Sequence, residues 1–220
     1  MSAAPFYDER FGLYHVMFQK HIFLDNGGVG RGPVFGHVVS HDLAHWATLD
    51  VSVWNDEPYG EFRGTHWDVA PTGNRLFACR RASQTEPSPL SNPSFPNRSA
   101  DDVAIYTGSA TIVNGTPTIV YPGLCAKKPS YPQCDGGQDH CHLAVAVPAN
   151  DSDPLCEKWT KPDFNPIVNS TQRDPSGAWM TPSGRWRMVT LDEHVYESAD
   201  ASFASWTFIG TQVRQWDYRD

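Results

Sequence analysis

Long apolar runs are missing from this chain of 220 residues. No stretch approaches the roughly 20 apolar residues that a membrane-crossing helix needs, so no membrane partner is expected. Basic clusters are missing as well. The formal net charge is −8 and the lysines and arginines are scattered, which argues against a nucleic-acid partner. The opening residues Met1-Ser2-Ala3-Ala4-Pro5 have neither the basic start nor the apolar centre of a secretory signal. The glycine-rich stretch 27–32 lacks the Lys-Ser/Thr of a phosphate loop, and no strand-to-helix transition follows it. It reads as a plain loop, and nothing in the sequence calls for a cofactor.

What is present is a substantial core and many turns. The chain is 40% hydrophobic and 12% aromatic with eight Trp, enough for one domain over residues 1–220. The 17 Gly and 18 Pro favour short strands and turns over long helices. Five cysteines occur, Cys79, Cys125, Cys134, Cys141 and Cys156, with sequons at Asn97, Asn114, Asn150 and Asn169. The sequons lean towards a secretory origin, which permits disulfides and leaves one Cys over. Since the opening residues are no signal, the expectation is that the N-terminus of a longer protein is missing, and localisation stays open. Cys134, Cys141 and His142, with His140 nearby, could be read as a metal site, but the Cys-x6-Cys-x-His spacing is not a usual zinc pattern. A loop disulfide, Cys134 with Cys141 or Cys125 with either, is the better reading, and no metal is expected.

Taken in order, 7–12 reads as a turn and 13–19 as an aromatic and β-branched strand. Residues 26–33 are a loop, 34–40 a second strand, and 41–46 a tight turn closed by Trp46. Residues 80–100 are polar and Pro/Ser-rich, a long surface loop. A hairpin is expected from 104–111 and 118–121 around Asn114-Gly115-Thr116-Pro117, because Asn-Gly suits a tight two-residue turn. Residues 127–139 are a loop, 142–147 a short strand, and two hairpins fill the last fifty residues. Three turns share one form: His41-Asp42-Leu43-Ala44-His45-Trp46, Asp153-Pro154-Leu155-Cys156-Glu157-Lys158-Trp159 and Ala201-Ser202-Phe203-Ala204-Ser205-Trp206. Each follows a strand and ends in Trp. Repeated small antiparallel sheets favour a β-propeller over a plain β-sandwich.

One further stretch carries chemistry. In Gln172-Arg173-Asp174-Pro175 an Arg and an Asp adjoin, and Pro175 ends any ladder behind them. If the run is a strand, Asp174 can face a central cleft while Arg173 turns away. A carboxylate there suits hydroxyl recognition on a sugar; the plainer reading is a surface ion pair beside a turn.

Together these segments resemble glycoside hydrolase family 32, the invertases, fructanases and fructosyltransferases. Gly12-Leu13-Tyr14-His15-Val16-Met17-Phe18-Gln19 resembles the family's first-blade strand. Phe35-Gly36-His37-Val38-Val39-Ser40 with Asp42-Leu43-Ala44-His45-Trp46 resembles its Trp-Gly-His segment, Phe35 standing for Trp. Tyr106-Thr107-Gly108-Ser109-Ala110-Thr111 is similar to Phe-Ser-Gly-Ser-Ala-Thr, Tyr121-Pro122-Gly123 to Tyr-Thr-Gly, and Arg173-Asp174-Pro175 to Arg-Asp-Pro. The match runs over about 5–209, in order. The resemblance implies an all-β, five-bladed β-propeller, incomplete here at about three to four blades. It implies retaining cleavage of β-fructosyl bonds in sucrose or fructans by an Asp nucleophile and a Glu acid/base. Such a pair needs carboxyls roughly 5 Å apart across the bond. It further implies that Asp174 stabilises the transition state, that Gln19 bonds a fructosyl hydroxyl, and that Phe35, Tyr106, Thr107 and Arg173 line the sugar site, with His37 structural beneath the wall. Core packing is the plainer reading of both aromatics.

The pattern is broken at two places. No Asn-Asp-Pro and no Glu-Cys-Pro occurs in the sequence. Aligned with the family, Met1 stands where the nucleophile belongs, and Asp8 is expected in a turn facing solvent. Glu193 and Glu197 come too soon after Arg-Asp-Pro to be the acid/base. The expectation is a family 32 propeller fragment, truncated at both ends and descended from an enzyme acting on sucrose or fructans, that does not hydrolyse them alone; the alternative is a non-catalytic carbohydrate-binding or regulatory propeller. An arabinanase-like propeller fits less well, because Gly-Ser-Ala-Thr occurs together with Arg-Asp-Pro.

Overall fold

The computed structural model describes residues 3–20, 33–54, 101, 104–124, 141–168 and 172–212. The expected loops at 26–33, 80–100 and 127–139, and the disulfide candidates Cys125 and Cys134, fall wholly or largely outside these residues. Those described form three antiparallel sheets built from successive hairpins. The first orders β1 (Ala3–Asp8), β2 (Leu13–Lys20), β3 (Val34–Ser40) and β4 (Ala47–Val53). The second contains β5 (Ala104–Ile105), β6 (Ser109–Val113), β7 (Thr116–Leu124), β8 (Cys141–Pro148) and β9 (Trp159–Thr160). The third orders β10 (Trp179–Met180), β11 (Trp186–Val189), β12 (His194–Ser198) and β13 (Thr207–Thr211).

The expected strand 104–111 is broken. β5 and β6 both pair with the same edge of β7, with Tyr106, Thr107 and Gly108 between them. The cause is local: at Gly108 the backbone comes so close to β7 that no side chain fits. The hairpin turn follows the expectation, with positive φ at Asn114 and Gly115 as a two-residue turn requires.

Alternation along the strands sets the packing. In β2, Leu13, His15 and Met17 are buried while Tyr14, Val16 and Phe18 are half-exposed. The first two sheets enclose one core, with Phe6, Met17, Phe35, Ile105, Ile119 and Tyr121. The second and third enclose another, with Leu143, Val145, Met188, Tyr196, Phe203 and Trp206. Sheets stacked face to face in sequence are blades of a propeller, and the described residues form three.

The recurring Trp turn joins the third and fourth strands of each blade. The residue three before the Trp is left-handed each time: Leu43 at φ 63°, Cys156 at 46° and Phe203 at 60°. The residue six before it caps the turn with a side-chain oxygen. Ser40 Oγ accepts from Leu43 N at 2.9 Å, Asp153 Oδ1 from Leu155 N at 3.0 Å and Asp200 Oδ1 from Ser202 N at 2.8 Å. The Trp closes it: the Trp46 and Trp159 indoles donate to the Leu43 and Cys156 carbonyls at 3.1 and 2.8 Å. Trp206 instead packs edge-on against Phe203, ring centroids 5.0 Å apart. Cys156 is buried and free, and burial pushes its thiol up to about 12.

Two features escaped the sequence. The 7–12 turn is shorter than expected, because β1 continues to Asp8, which is 2% exposed rather than facing solvent. Arg10 grips it bidentately at 3.0 and 2.7 Å, holding its carboxyl below the usual range, and reaches Asp151 of the second blade at 2.8 Å. Asn165 acts as a substitute strand: its amide accepts from Val145 N at 2.9 Å and donates to Val145 O at 2.8 Å, in a gap of the ladder beside β8. An Asn165→Ala variant strands two buried backbone groups and is expected to lose about 2–3 kcal/mol. A urea midpoint equal to that of the parent chain would contradict this.

Candidate functional site

The first strands of the blades gather the candidate residues. β1 packs on β6, and the segment before β10 runs beside β6. Ala3 pairs with Phe18, so Gln19 lies at the starting end of β1. Tyr106 and Thr107 immediately precede β6, and Arg173 and Asp174 precede β10. All five therefore sit at the starting ends of neighbouring inner strands.

Within this group, Thr107 Oγ1 donates to Gln19 Oε1 at 3.1 Å across the boundary of blades one and two. Both are half-buried, as is Tyr106, whose N–H donates to Pro122 O at 2.8 Å. Arg173 and Asp174 are exposed. The strand alternation expected for them does not apply, because 172–178 is irregular and Asp174 is left-handed at φ 50°. The segment is nevertheless gripped. Gln172 accepts from Thr190 Oγ1 at 2.5 Å and shares a 3.0 Å bond with His194 Nδ1, while Arg173 O accepts from Leu191 N at 2.9 Å. Ser176 N donates to Val189 O at 2.8 Å, and Val189 N returns a bond to Ser176 Oγ at 3.0 Å.

Phe35 stands apart from the group. It is 0% exposed and meets Tyr121 edge-on at 5.9 Å, so it is a core residue between blades and presents no face to a ligand. The plainer reading holds for this aromatic, because the blade interface covers it. Beneath it Tyr121 Oη donates to Asp101 at 2.7 Å, and Lys161 pairs with the same carboxylate at 2.7 Å. His37 is fully buried and shares a 3.0 Å bond with His15, which is stacked on Phe6. Burial holds His37 at about 3 and His15 at about 4.

Asp8 and Glu197, considered above, are engaged elsewhere. Asp8 closes the far end of β1, five residues or roughly 17 Å from the Gln19 end. Glu197 lies between Arg185 and Arg187, at 3.0 Å from each, which lowers its pKa. A general acid needs the opposite shift. Among the described residues no group of three or more His, Cys, Asp or Glu could hold a metal ion.

Antiparallel sheets stacked one on the next as blades define a β-propeller. The family model described as glycosyl hydrolases family 32 N-terminal domain matches residues 91–217. That is more than half of the chain, and the chain belongs to glycoside hydrolase family 32. It is 29% identical over 211 residues to the insoluble β-fructofuranosidase isoenzyme 1 of Daucus carota, covering 89% of this chain and 26% of that protein. It is 29% identical to isoenzyme 2 of Oryza sativa subsp. indica, covering 93% and 27%. The chain thus spans about a quarter of these curated relatives. Fructan 1-exohydrolase IIa from Cichorium intybus superposes with a TM-score of 0.62 at 23% identity, over 96% of this chain and 31% of that one. The Schwanniomyces occidentalis β-fructofuranosidase complexed with fructosyl-erythritol gives 0.57 at 17%, over 94% and 33%. The fold is the family's all-β propeller, and these likenesses carry the fold alone.

Proposed function

We propose that this chain recognises the fructosyl group of sucrose or a fructan and does not hydrolyse it unaided. The observation that carries the reading is the placement of Gln19, Thr107 and Asp174 at one end of three adjacent inner strands. Asp174 is an exposed acceptor for sugar hydroxyls, Gln19 and Thr107 form a linked polar pair, and Tyr106 and Arg173 flank them. Relatives complexed with 1-kestose, fructosyl-erythritol and sucrose support the ligand class. The sequence contains neither Asn-Asp-Pro nor Glu-Cys-Pro. Without an attacking carboxylate and a proton donor, binding is uncoupled from turnover.

The test is calorimetric titration with 1-kestose alongside fructose release from sucrose and 1-kestose. The expected result is measurable binding, a tenfold or greater loss in Asp174→Ala, and no fructose release. Fructose release by the purified chain would overturn the proposed inactivity, and unchanged binding by Asp174→Ala would overturn the site.

The second reading, a non-catalytic binding or regulatory propeller, is favoured by the employment of Asp8 and Glu197 in ion pairs. Both readings expect sugar binding; they differ in that only the first expects fructose release when a polypeptide carrying Asn-Asp-Pro and Glu-Cys-Pro complements the chain.

A further inference from the structure

We propose that Ser109 and Thr111 are positioning residues for Asp174, fixing it from the neighbouring blade. This rests on the fructosyl-binding reading above. Ser109 Oγ donates to Pro175 O at 2.6 Å, directly after Asp174. Thr111 Oγ1 accepts from Ala178 N at 2.7 Å and lies 3.4 Å from Ala178 O. Between those anchors, Gly177 lies alongside Ala110: a Cβ there would stand in ordinary contact, 3.4 Å from Ala110 O. The Gly-Ser-Ala-Thr and Arg-Asp-Pro segments are therefore two halves of one device.

The need for such a device is physical. Asp174 is left-handed without being glycine, a conformation that costs about 1–2 kcal/mol and persists only where neighbours over-determine it. Third-blade bonds through Leu191 and Val189 hold one side of 172–178. The second-blade hydroxyls hold the other. With both in place the Asp174 carboxylate projects from a fixed backbone, and its orientation cost is met before a ligand arrives. The hydroxyl of residue 109 does this through a single donated proton. That of residue 111 does it as an acceptor, so serine can replace threonine there and valine cannot.

The experiment compares Thr111→Val, Thr111→Ser and Thr181→Val in the 220-residue chain. Thr181 is the control, because its hydroxyl bonds Arg185 N and O within the β10–β11 turn, away from the inter-blade contact. Amide exchange of Ala178, 1-kestose affinity and melting temperature are measured on each. Thr111→Val is expected to speed Ala178 exchange at least tenfold and weaken 1-kestose binding at least fivefold, with a melting temperature no lower than that of Thr181→Val. Thr111→Ser restores the first two. Unchanged Ala178 exchange, or faster exchange with unchanged affinity, overturns the positioning role. If the parent chain binds no 1-kestose, the fructosyl reading fails. Ala178 exchange then still shows whether the stitch exists.

Discussion

A Gly108→Ala variant is expected to melt far below the parent chain. An added Cβ would stand 2.1 Å from Val120 O and 2.8 Å from Tyr121 Cα. Both are backbone atoms of β7, and β7 cannot retreat: Val120 and Tyr121 pair with Val145 and Ala144 of β8 on their other side. Relief must come from tearing β5 or β6 off the sheet, which places the cost at or beyond the upper end of the usual ~1–3 kcal/mol for overpacking. Three comparisons calibrate it. Gly36→Ala meets the tip of the half-exposed Phe18 ring at 2.7 Å, and that ring can turn aside. Gly115→Ala and Gly184→Ala meet nothing within 4 Å and carry only the strain of positive φ, about 1–2 kcal/mol. Thermal melts of all four should rank Gly108→Ala lowest by a wide margin. A Gly108→Ala melt equal to that of Gly184→Ala would refute the close approach.

Stability should also fall steeply as pH drops from about 6.5 to about 4, before most carboxylates titrate. His15 and His37 are held neutral by burial, at about 4 and about 3 against an ordinary 6.5. Burial is the largest cause for both, and His15 adds to the lowering of His37; the charges of Asp8 and Asp153 on His15, and of Asp153 on His37, pull the other way and do not prevail. Because the folded values lie below 6.5, the unfolded chain takes up protons first. The pair's contribution is whole above that pH and drains as pH falls towards the folded values. The slope approaches about 1.4 kcal/mol per pH unit for each histidine. The Asp8 carboxyl, lowered chiefly by its hydrogen bond to Arg10, adds loss only below its ordinary 3.8. Urea unfolding at intervals from pH 7.5 to 4.5 measures the slope. A flat profile across that range would mean that the pair is already charged in the fold.

Most of the architecture could be read from local chemistry, since each sheet is a chain of hairpins whose turns carry their own signals. Asn114-Gly115 and the three Trp turns are such cases, and the second and third elements of blade one ran as read. The misreadings arose where spatial partners lie far apart in sequence. Asp8 looked exposed because neither the length of β1 nor the bidentate grip of Arg10 is visible in a string. Phe35 looked available because burial by the next blade depends on register. His37 was read as structural, yet its partner His15 emerged only from pairing β2 with β3. Asn165 gave no signal, because a side chain completing a ladder leaves no periodicity. At the candidate site the left-handed Asp174 and its anchors Ser109 and Thr111 were not legible, because the contacts that hold them join segments 66 and 67 residues apart.

The Trp-capped turns also bear on how the chain folds. Each is secured by bonds spanning six residues or fewer, and each joins strands that are neighbours in sequence. A blade is thus a unit of low contact order, able to close quickly from local encounters. The contacts between blades span far longer separations: Thr107 to Gln19 closes 88 residues, and Arg10 to Asp151 closes 141. Kinetically, the expectation is rapid formation of separate blades followed by a slower docking of one on the next. The inter-blade polar contacts, Gln19–Thr107 and Ser109–Pro175 among them, would then mature last, and the proposed fructosyl site would be complete only at the final folding step.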